Sequence, residues 1–168
     1  MQPFHPYIDE YRRQMQNGAV PKAYQGLMHY LMDLRTHFQS NYPDYFVSGS
    51  LYAGYMDMSY FSIIPPALKQ RGLKIAFVFL HATCHFEVWL AAANKQIQTR
   101  TWQQIKDSGW QQYRLVPSPR GADSILEHVL AETPDFSDLD ALTGLIEEET
   151  GKFIADIEDF LSKISEKI

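Results

Sequence analysis

The chain has 168 residues, of which 45% are apolar and 14% aromatic, and it contains one cysteine. A chain of this size can hold one domain with a substantial core, so we predict a single domain over residues 1–168. The single cysteine excludes an intramolecular disulfide and a zinc site built from cysteines alone. No apolar stretch approaches the ~20 residues that span a bilayer, so we expect a soluble, cytoplasmic protein without a membrane partner.

The net charge of −5 is unevenly distributed along the chain. Residues 1–120 contain twelve basic and seven acidic residues, whereas residues 121–168 contain three basic and thirteen acidic residues. The acidic end could complement the more basic body, within one molecule or between two, or it could be a solvated helix face. Nucleic acid binding is not expected, because the chain is acidic overall and has no nucleic-acid-binding motif.

Two helices are predicted at the N-terminus. Apolar residues recur at spacings of three and four over residues 6–16, and Gly18 stands where a left-handed residue would end this helix. A longer apolar stripe over residues 21–41 predicts the second helix, with Pro21 in its first turn. The connection between them is short, so we predict an antiparallel pair.

After residue 44 the apolar period changes to two, and a strand is predicted over residues 55–63. In such a strand Tyr55 and Asp57 point to one side and Tyr60 to the other. Asp57 is unusual in this apolar setting. Its carboxylate is either held by neighbouring donors, or it has a raised pKa and a function.

The centre of the predicted sheet is the stretch of residues 73–90, LKIAFVFLHATCHFEVWL. Two runs rich in β-branched and aromatic residues flank a short polar break, a pattern typical of a β-hairpin. A three-residue loop would place Phe77 and Phe79 on the face of Glu87, whereas an even-numbered loop would place them on the opposite face. In both registers one side of the second strand carries the same three residues, His85, Glu87 and Trp89.

The rest of the chain predicts a helix over residues 91–108 and a strand over residues 111–116. Residues 124–132 have a helical apolar period, but they are short and lie between two loops, so we predict a strand. A long helix begins within residues 134–140, and its apolar residues repeat at close to 3.5 residues. This stripe can pack on the body of the chain or on a second copy, which would give a homodimer through residues 137–167.

These elements together predict the fold class. We expect an α+β domain in which two N-terminal helices and a long C-terminal helix pack on an antiparallel sheet. A sheet of about four to six strands is typical of a domain of this kind.

The best candidate site is an aromatic and carboxylate face of this sheet. If the strand of Asp57 lies beside the hairpin, Asp57 and Glu87 share a concave face; alternatively, Glu87 faces solvent from a sheet that is wet on one side. The first hypothesis is a ligand-binding or protein-interaction domain. The alternative is a small hydrolase-like enzyme in which Asp57 and Glu87 act as acid and base. The predicted ligand-binding residues are Tyr55, Asp57, Tyr60, His85, Glu87 and Trp89.

The hairpin turn contains His81, Cys84 and His85, which are residue types that bind zinc or copper. Two histidines and a thiol on one tight turn rarely converge on a single ion. We therefore predict no metal site and no cofactor, and we interpret the histidines as a solvated hairpin tip.

Several short motifs are distributed along the whole chain. They are Lys22-Ala23-Tyr24, Gly26-Leu27-Met28, Gly54-Tyr55-Met56-Asp57, Tyr60-Phe61, residues 71–75, Phe86-Glu87-Val88-Trp89-Leu90, Asn94, Pro134-Asp135-Phe136, Leu139-Asp140 and Leu142. Together they resemble a family of small bacterial cytoplasmic proteins known as a domain of unknown function. The resemblance implies one intact domain and agrees with a strand over residues 124–132. It implies no activity, cofactor or catalytic residue.

Overall fold

The computed structural model describes residues 3–165, which form five helices and a six-stranded sheet. The helices are α1 (His5–Asn17), α2 (Ala19–Asn41), α3 (Pro66–Lys69), α4 (Lys95–Ser108) and α5 (Leu139–Ser165). The strands are β1 (Phe46–Val47), β2 (Met58–Ile64), β3 (Leu73–Leu80), β4 (His85–Ala92), β5 (Arg114–Leu115) and β6 (Leu126–Ala131). Their order in the sheet is β1-β2-β3-β4-β6-β5, and neighbouring strands are antiparallel. The predicted α+β class is confirmed.

The central hairpin is formed by β3 and β4. Leu80 pairs with His85, so four residues, 81–84, form the loop. This even-numbered loop places Phe77 and Phe79 opposite Val88 and Phe86, on the face away from Glu87. Of the two registers that the sequence left open, the structure has the one in which the phenylalanines of both strands lie on the core face.

The helices α2 and α5 cover this phenylalanine face. The ring of Phe77 lies 4.7 Å from that of Phe38 in α2 and 4.8 Å from that of Phe61 in β2. On α5, the apolar stripe is buried in the same core. The stripe on which the homodimer hypothesis depended thus packs on the chain's own sheet. Its buried members are Leu142, Ile146, Phe153, Ile157 and Leu161.

Two predictions about local structure near the helices are confirmed. Gly18 has φ 85° and ends α1 in the left-handed conformation, which glycine adopts without steric cost. The ambiguous segment 124–132 contains the strand β6, which pairs with β4. Among residues 3–165, no helix combines the length and apolar character needed to cross a membrane.

Four predicted boundaries are corrected. The strand predicted over residues 111–116 is limited to Arg114–Leu115, the two residues of β5 that pair with β6. The strand predicted from residue 55 begins at Met58, because residues 55–57 form a bend. The helix predicted from residue 91 begins at Lys95, because β4 continues to Ala92 and the Asn94 side chain then caps α4. The long helix begins at Leu139 and continues to Ser165; the last residues predicted for it, 166–167, lie outside the described residues.

A buried hydroxyl in α5 gives a stability prediction. Thr150 is fully buried, and its Oγ1 has no hydrogen-bond partner among residues 3–165. Because an unpaired buried hydroxyl costs free energy, Thr150→Val is expected to raise the free energy of unfolding by about 1 kcal/mol, measured by urea denaturation. Thr150→Ser keeps the hydroxyl and loses the methyl group, so it should be less stable than the wild type. A valine variant that gains no stability would contradict this explanation.

Candidate functional site

The second face of the sheet lies opposite α2 and α5. Its residues alternate along each strand with the core residues, as the pleat of a β-sheet requires. One row across the sheet runs from Tyr60 through Val78 and Glu87 to Val129, with each residue paired to the next. The neighbouring row runs through Ser62, Ala76, Trp89 and Glu127. We call this surface the open face.

A groove of about 420 Å³ lies on the open face. Its aromatic walls are Tyr52, Tyr60 and Trp89, and the rings of the two tyrosines are 4.8 Å apart. Tyr52 joins the groove because it pairs with Tyr60 through two backbone hydrogen bonds at the edge of the sheet. The walls therefore come from three segments of the chain that the sheet brings together.

The floor of the groove is made of small side chains. Ala76 pairs with Ser62 on one side and with Trp89 on the other, and Ala91 pairs with Lys74. Neighbouring strands lie only about 4.8 Å apart, so an alanine between larger residues leaves a depression beside them. The alanines in these two central strands explain why the groove is on this part of the open face.

Glu87 holds the tryptophan wall in position. This carboxylate is only 7% exposed, and both of its oxygens are used. The Trp89 indole Nε1 donates to Oε1 at 3.1 Å, and His85 Nε2 donates to Oε2 at 2.7 Å. Hydrogen bonds of this kind satisfy a buried carboxylate and restrict the side chains that donate to it. Glu87 is thus a residue that positions the groove wall.

The polar end of the groove is built around the start of α4. Lys95 Nζ donates to the carbonyl oxygens of Ala122 at 2.8 Å and Pro119 at 3.3 Å. Gln98 is buried, and its Nε2 donates to the carbonyl oxygens of Ala122 and Ser124. These bonds hold the loop before β6 against α4. Through them the groove gains a fixed border from a part of the chain distant from the hairpin.

Asp57 lies outside the groove. It is exposed in the bend before β2, where its Oδ1 accepts a hydrogen bond from the backbone N–H of Tyr55 at 2.9 Å. Hydrogen bonds from the backbone N–H groups of Tyr55 and Met58 lower the pKa of Asp57 below its ordinary value. The bend also needs Gly54, which has φ 82° and whose added Cβ would overlap the carbonyl oxygen of Met58. Asp57 therefore stabilises a turn.

The structure brings together four of the six predicted ligand-binding residues. Tyr60, His85, Glu87 and Trp89 lie on the open face, and Tyr60 and Trp89 line the groove itself. The other two, Tyr55 and Asp57, belong to the exposed bend, and Tyr55 is 87% exposed. Asp57 and Glu87, the acid and base of the hydrolase-like alternative, thus form hydrogen bonds with different groups. The groove residues that sequence reasoning missed are Tyr52, Met58, Lys74, Ala76, Val78, Ala91, Ala92, Asn94, Lys95, Gln98 and Asp123.

The histidines of the hairpin tip are not simply solvated, which corrects the sequence interpretation. His85 donates to Glu87, and His81 is half-buried with its ring stacked 6.0 Å from that of Tyr24. His81 Nε2 lies 2.8 Å from the Oγ of Ser59. That hydroxyl donates to a backbone carbonyl and is fully buried, so it is no activated nucleophile. Among residues 3–165, no three His, Cys, Asp or Glu residues are placed to hold a metal ion.

His81 should make stability depend on pH. Burial lowers its pKa from the ordinary 6.5, and the charge of Asp57 opposes this only in part. His81 then binds a proton more readily in the unfolded chain than in the folded protein. The stability that neutral His81 contributes is therefore complete above about pH 6.5 and is lost as the pH falls below that value. We expect urea midpoints between pH 8 and 5 to fall more steeply for the wild type than for His81→Gln. Equal slopes for the two proteins would contradict this role.

These features define a class of α+β domain in which helices cover one face of an antiparallel sheet and an aromatic groove lies on the other. The family model described as "Domain of unknown function (DUF7000)" matches residues 4–161, and the chain belongs to this family. The match confirms the part of the sequence resemblance that pointed to a domain of unknown function. Comparisons with curated proteins and with solved structures gave no match.

Proposed function

We propose that this domain binds a small molecule with a flat, mainly apolar body in the groove of the open face. The observation that carries the proposal is the combination of three aromatic walls with an alanine floor. Ligand sites in proteins are typically concave, about 300–1,000 Å³ in volume, and lined by apolar and aromatic side chains with a few polar groups. The groove, at about 420 Å³, has this size, and its aromatic and alanine side chains adjoin a polar end. The polar and charged lining residues are Lys74, Asn94, Lys95, Gln98 and Asp123.

The groove walls are preorganised, which supports binding. Glu87 fixes the indole of Trp89, and the Tyr52 backbone bonds fix the strand that carries Tyr60. A ligand that enters between fixed rings does not have to order them, so less of the interaction energy is spent on lost side-chain freedom. Flat molecules gain most from such walls, because aromatic rings prefer offset stacked or edge-to-face contacts.

Binding fits the geometry better than hydrolysis does. An acid and base pair needs two carboxylates with different environments around one substrate. Glu87 already has both oxygens in hydrogen bonds, and Asp57 is exposed and held by backbone N–H groups. The ligand-binding hypothesis is therefore preferred over the hydrolase-like alternative.

Two further expectations from the sequence remain proposals. A cytoplasmic location is supported by Cys84, which is exposed and free, as is usual in a reducing compartment. The proposed homodimer would have to form through a surface other than the stripe of α5 that is buried in the core.

The proposal is tested by filling the groove. Wild-type protein titrated with the uncharged fluorophore N-phenylnaphthylamine should show a saturable rise in fluorescence. Ala76→Leu extends the floor into the groove and should weaken this binding by about tenfold, which corresponds to about 1.4 kcal/mol. The matched control is Ala155→Leu on the exposed surface of α5, which should bind like the wild type. Absence of saturable binding to the wild type, or equal binding by Ala76→Leu, would overturn the proposal.

A further inference from the structure

We infer that the groove selects ligands that carry an anionic group and that Lys74 is the residue that binds this group. The inference rests on the proposed function, since it assigns the chemical class of the ligand at the same site. Lys74 lies on the open face of β3, pairs with Ala91 of β4, and lines the groove. It is half-buried, whereas lysines usually lie in full contact with water.

Lys74 differs from the other lysine of the groove in its contacts. Lys95 donates to two backbone carbonyl oxygens, so its ammonium group is occupied in holding the loop before β6. Within the described part of the chain, Lys74 makes no hydrogen bond to a protein group and has no carboxylate within 4.0 Å. An ammonium group has three N–H donors and no acceptor. Those of Lys74 are available to a ligand in the groove.

The acidic residues near the groove do not cancel this charge. Glu87 is on the same face, but it does not line the groove, and it pairs with Val78, four residues from Lys74 along β3 and so about 13 Å away along the strand. Asp123 lines the groove and is exposed, so salt and water screen its charge strongly. A half-buried cation is screened less, so Lys74 contributes more to the charge inside the groove than the exposed side chains of Asp123 and Lys95 do.

The groove therefore fits a small aromatic or otherwise flat anion. Tyr60 and Trp89 contact the flat body, and the ammonium of Lys74 pairs with the anionic group. The lysine ammonium is a compact point charge without the planar fork of arginine, so it can donate hydrogen bonds to a carboxylate, a sulfonate or a phosphate alike. Hydrogen bonds to charged groups contribute more than neutral ones, so the anionic group should add measurably to affinity.

A pair of matched fluorophores separates this inference from the proposed function. Anilinonaphthalene sulfonate carries a sulfonate on a scaffold close to that of the uncharged N-phenylnaphthylamine. Both should bind the wild type, and Lys74→Met should weaken binding of the sulfonate by about tenfold while changing that of the neutral compound by less than about twofold. Lys152→Met on the exposed surface of α5 is the charge-matched control and should change neither. Circular dichroism and the urea midpoint establish that each variant is folded.

Three other results would each overturn the inference. If both fluorophores bind the wild type and Lys74→Met binds the sulfonate equally well, the inference is overturned and the proposed function stands. If Lys74→Met weakens both compounds equally, Lys74 supports the shape of the groove and the inference is again overturned. If neither compound binds the wild type, the proposed function fails and the inference fails with it.

Discussion

Replacing Phe77 with alanine is expected to lower the free energy of unfolding by about 3–5 kcal/mol. Phe77 is 1% exposed in the central strand of the sheet, and its ring lies between Phe38 and Phe61. Removing the ring loses its burial and leaves a cavity between a helix and two strands, which the packed surroundings fill only partly. Urea denaturation measures the change, provided that the dependence of the free energy of unfolding on urea concentration is the same for the variant and the wild type.

A control and a milder variant keep this prediction testable. Phe46→Ala removes the same ring from the short edge strand β1, where it is 58% exposed, and should change stability by less than about 0.5 kcal/mol. Phe77→Leu keeps most of the side-chain volume and should lower the free energy of unfolding by about 1 kcal/mol. This variant provides the test if Phe77→Ala does not fold. A loss below 1 kcal/mol for Phe77→Ala would mean that Phe77 does not face the core, and the register of the hairpin would be wrong.

Replacing Glu87 with alanine is expected to affect both stability and binding. The change leaves the indole N–H of Trp89 and the half-buried ring of His85 without their acceptor, at a cost of about 2 kcal/mol. The freed indole must then be ordered by the ligand, so affinity for N-phenylnaphthylamine should fall by about tenfold. Urea denaturation and fluorescence titration measure the two effects.

Two controls accompany the Glu87 variant. Glu87→Gln keeps the side-chain length and one acceptor for Trp89, so it should retain most of the binding. Glu148→Ala removes a carboxylate from the exposed surface of α5 and should change neither quantity. If Glu87→Ala has wild-type stability and wild-type affinity, Glu87 does not position the groove wall.

The features that sequence alone predicted correctly depend on local periodicity. The 3.5-residue stripe on the long helix predicted a face that packs, and residues such as Ile146 and Phe153 are buried as expected. The period of two in the hairpin placed Glu87 and Trp89 on one side of β4, because alternation along a strand holds in every register. The fold class follows from such patterns.

The register of the hairpin depended on backbone geometry that the sequence does not signal. The loop of residues 81–84 includes Cys84 at φ 53°, whereas glycine or asparagine is the usual sign of positive φ. A positive φ at a residue other than glycine also explains why the strand predicted from residue 55 begins at Met58. Met56 has φ 66° and closes the bend before β2, although its side chain and its neighbours match a strand pattern.

The groove could be predicted only in part because its residues are distant in sequence. Tyr60 and Trp89 were found from their strands, but Tyr52, Gln98 and Asp123 reach the site through edge pairing, the position of α4 and the loop before β6. One local signal was available. Ala76 interrupts a run of large residues in β3, and Ala91 begins a run of three alanines after Trp89-Leu90 in β4. Small residues of this kind beside large ones indicate a depression on the face.

The central claim is that the groove on the open face binds a small, flat ligand, and the indole N–H groups of the three tryptophans test it directly. Trp89 lines the groove, whereas Trp102 donates to Val116 in the core and Trp110 stacks on Phe160 of α5. In an NMR titration of nitrogen-labelled protein with N-phenylnaphthylamine, the Trp89 indole resonance, assigned with Trp89→Phe, should shift saturably while the other two stay in place. A shift of Trp102 or Trp110 without Trp89, or no shift of Trp89 at saturation, would contradict it.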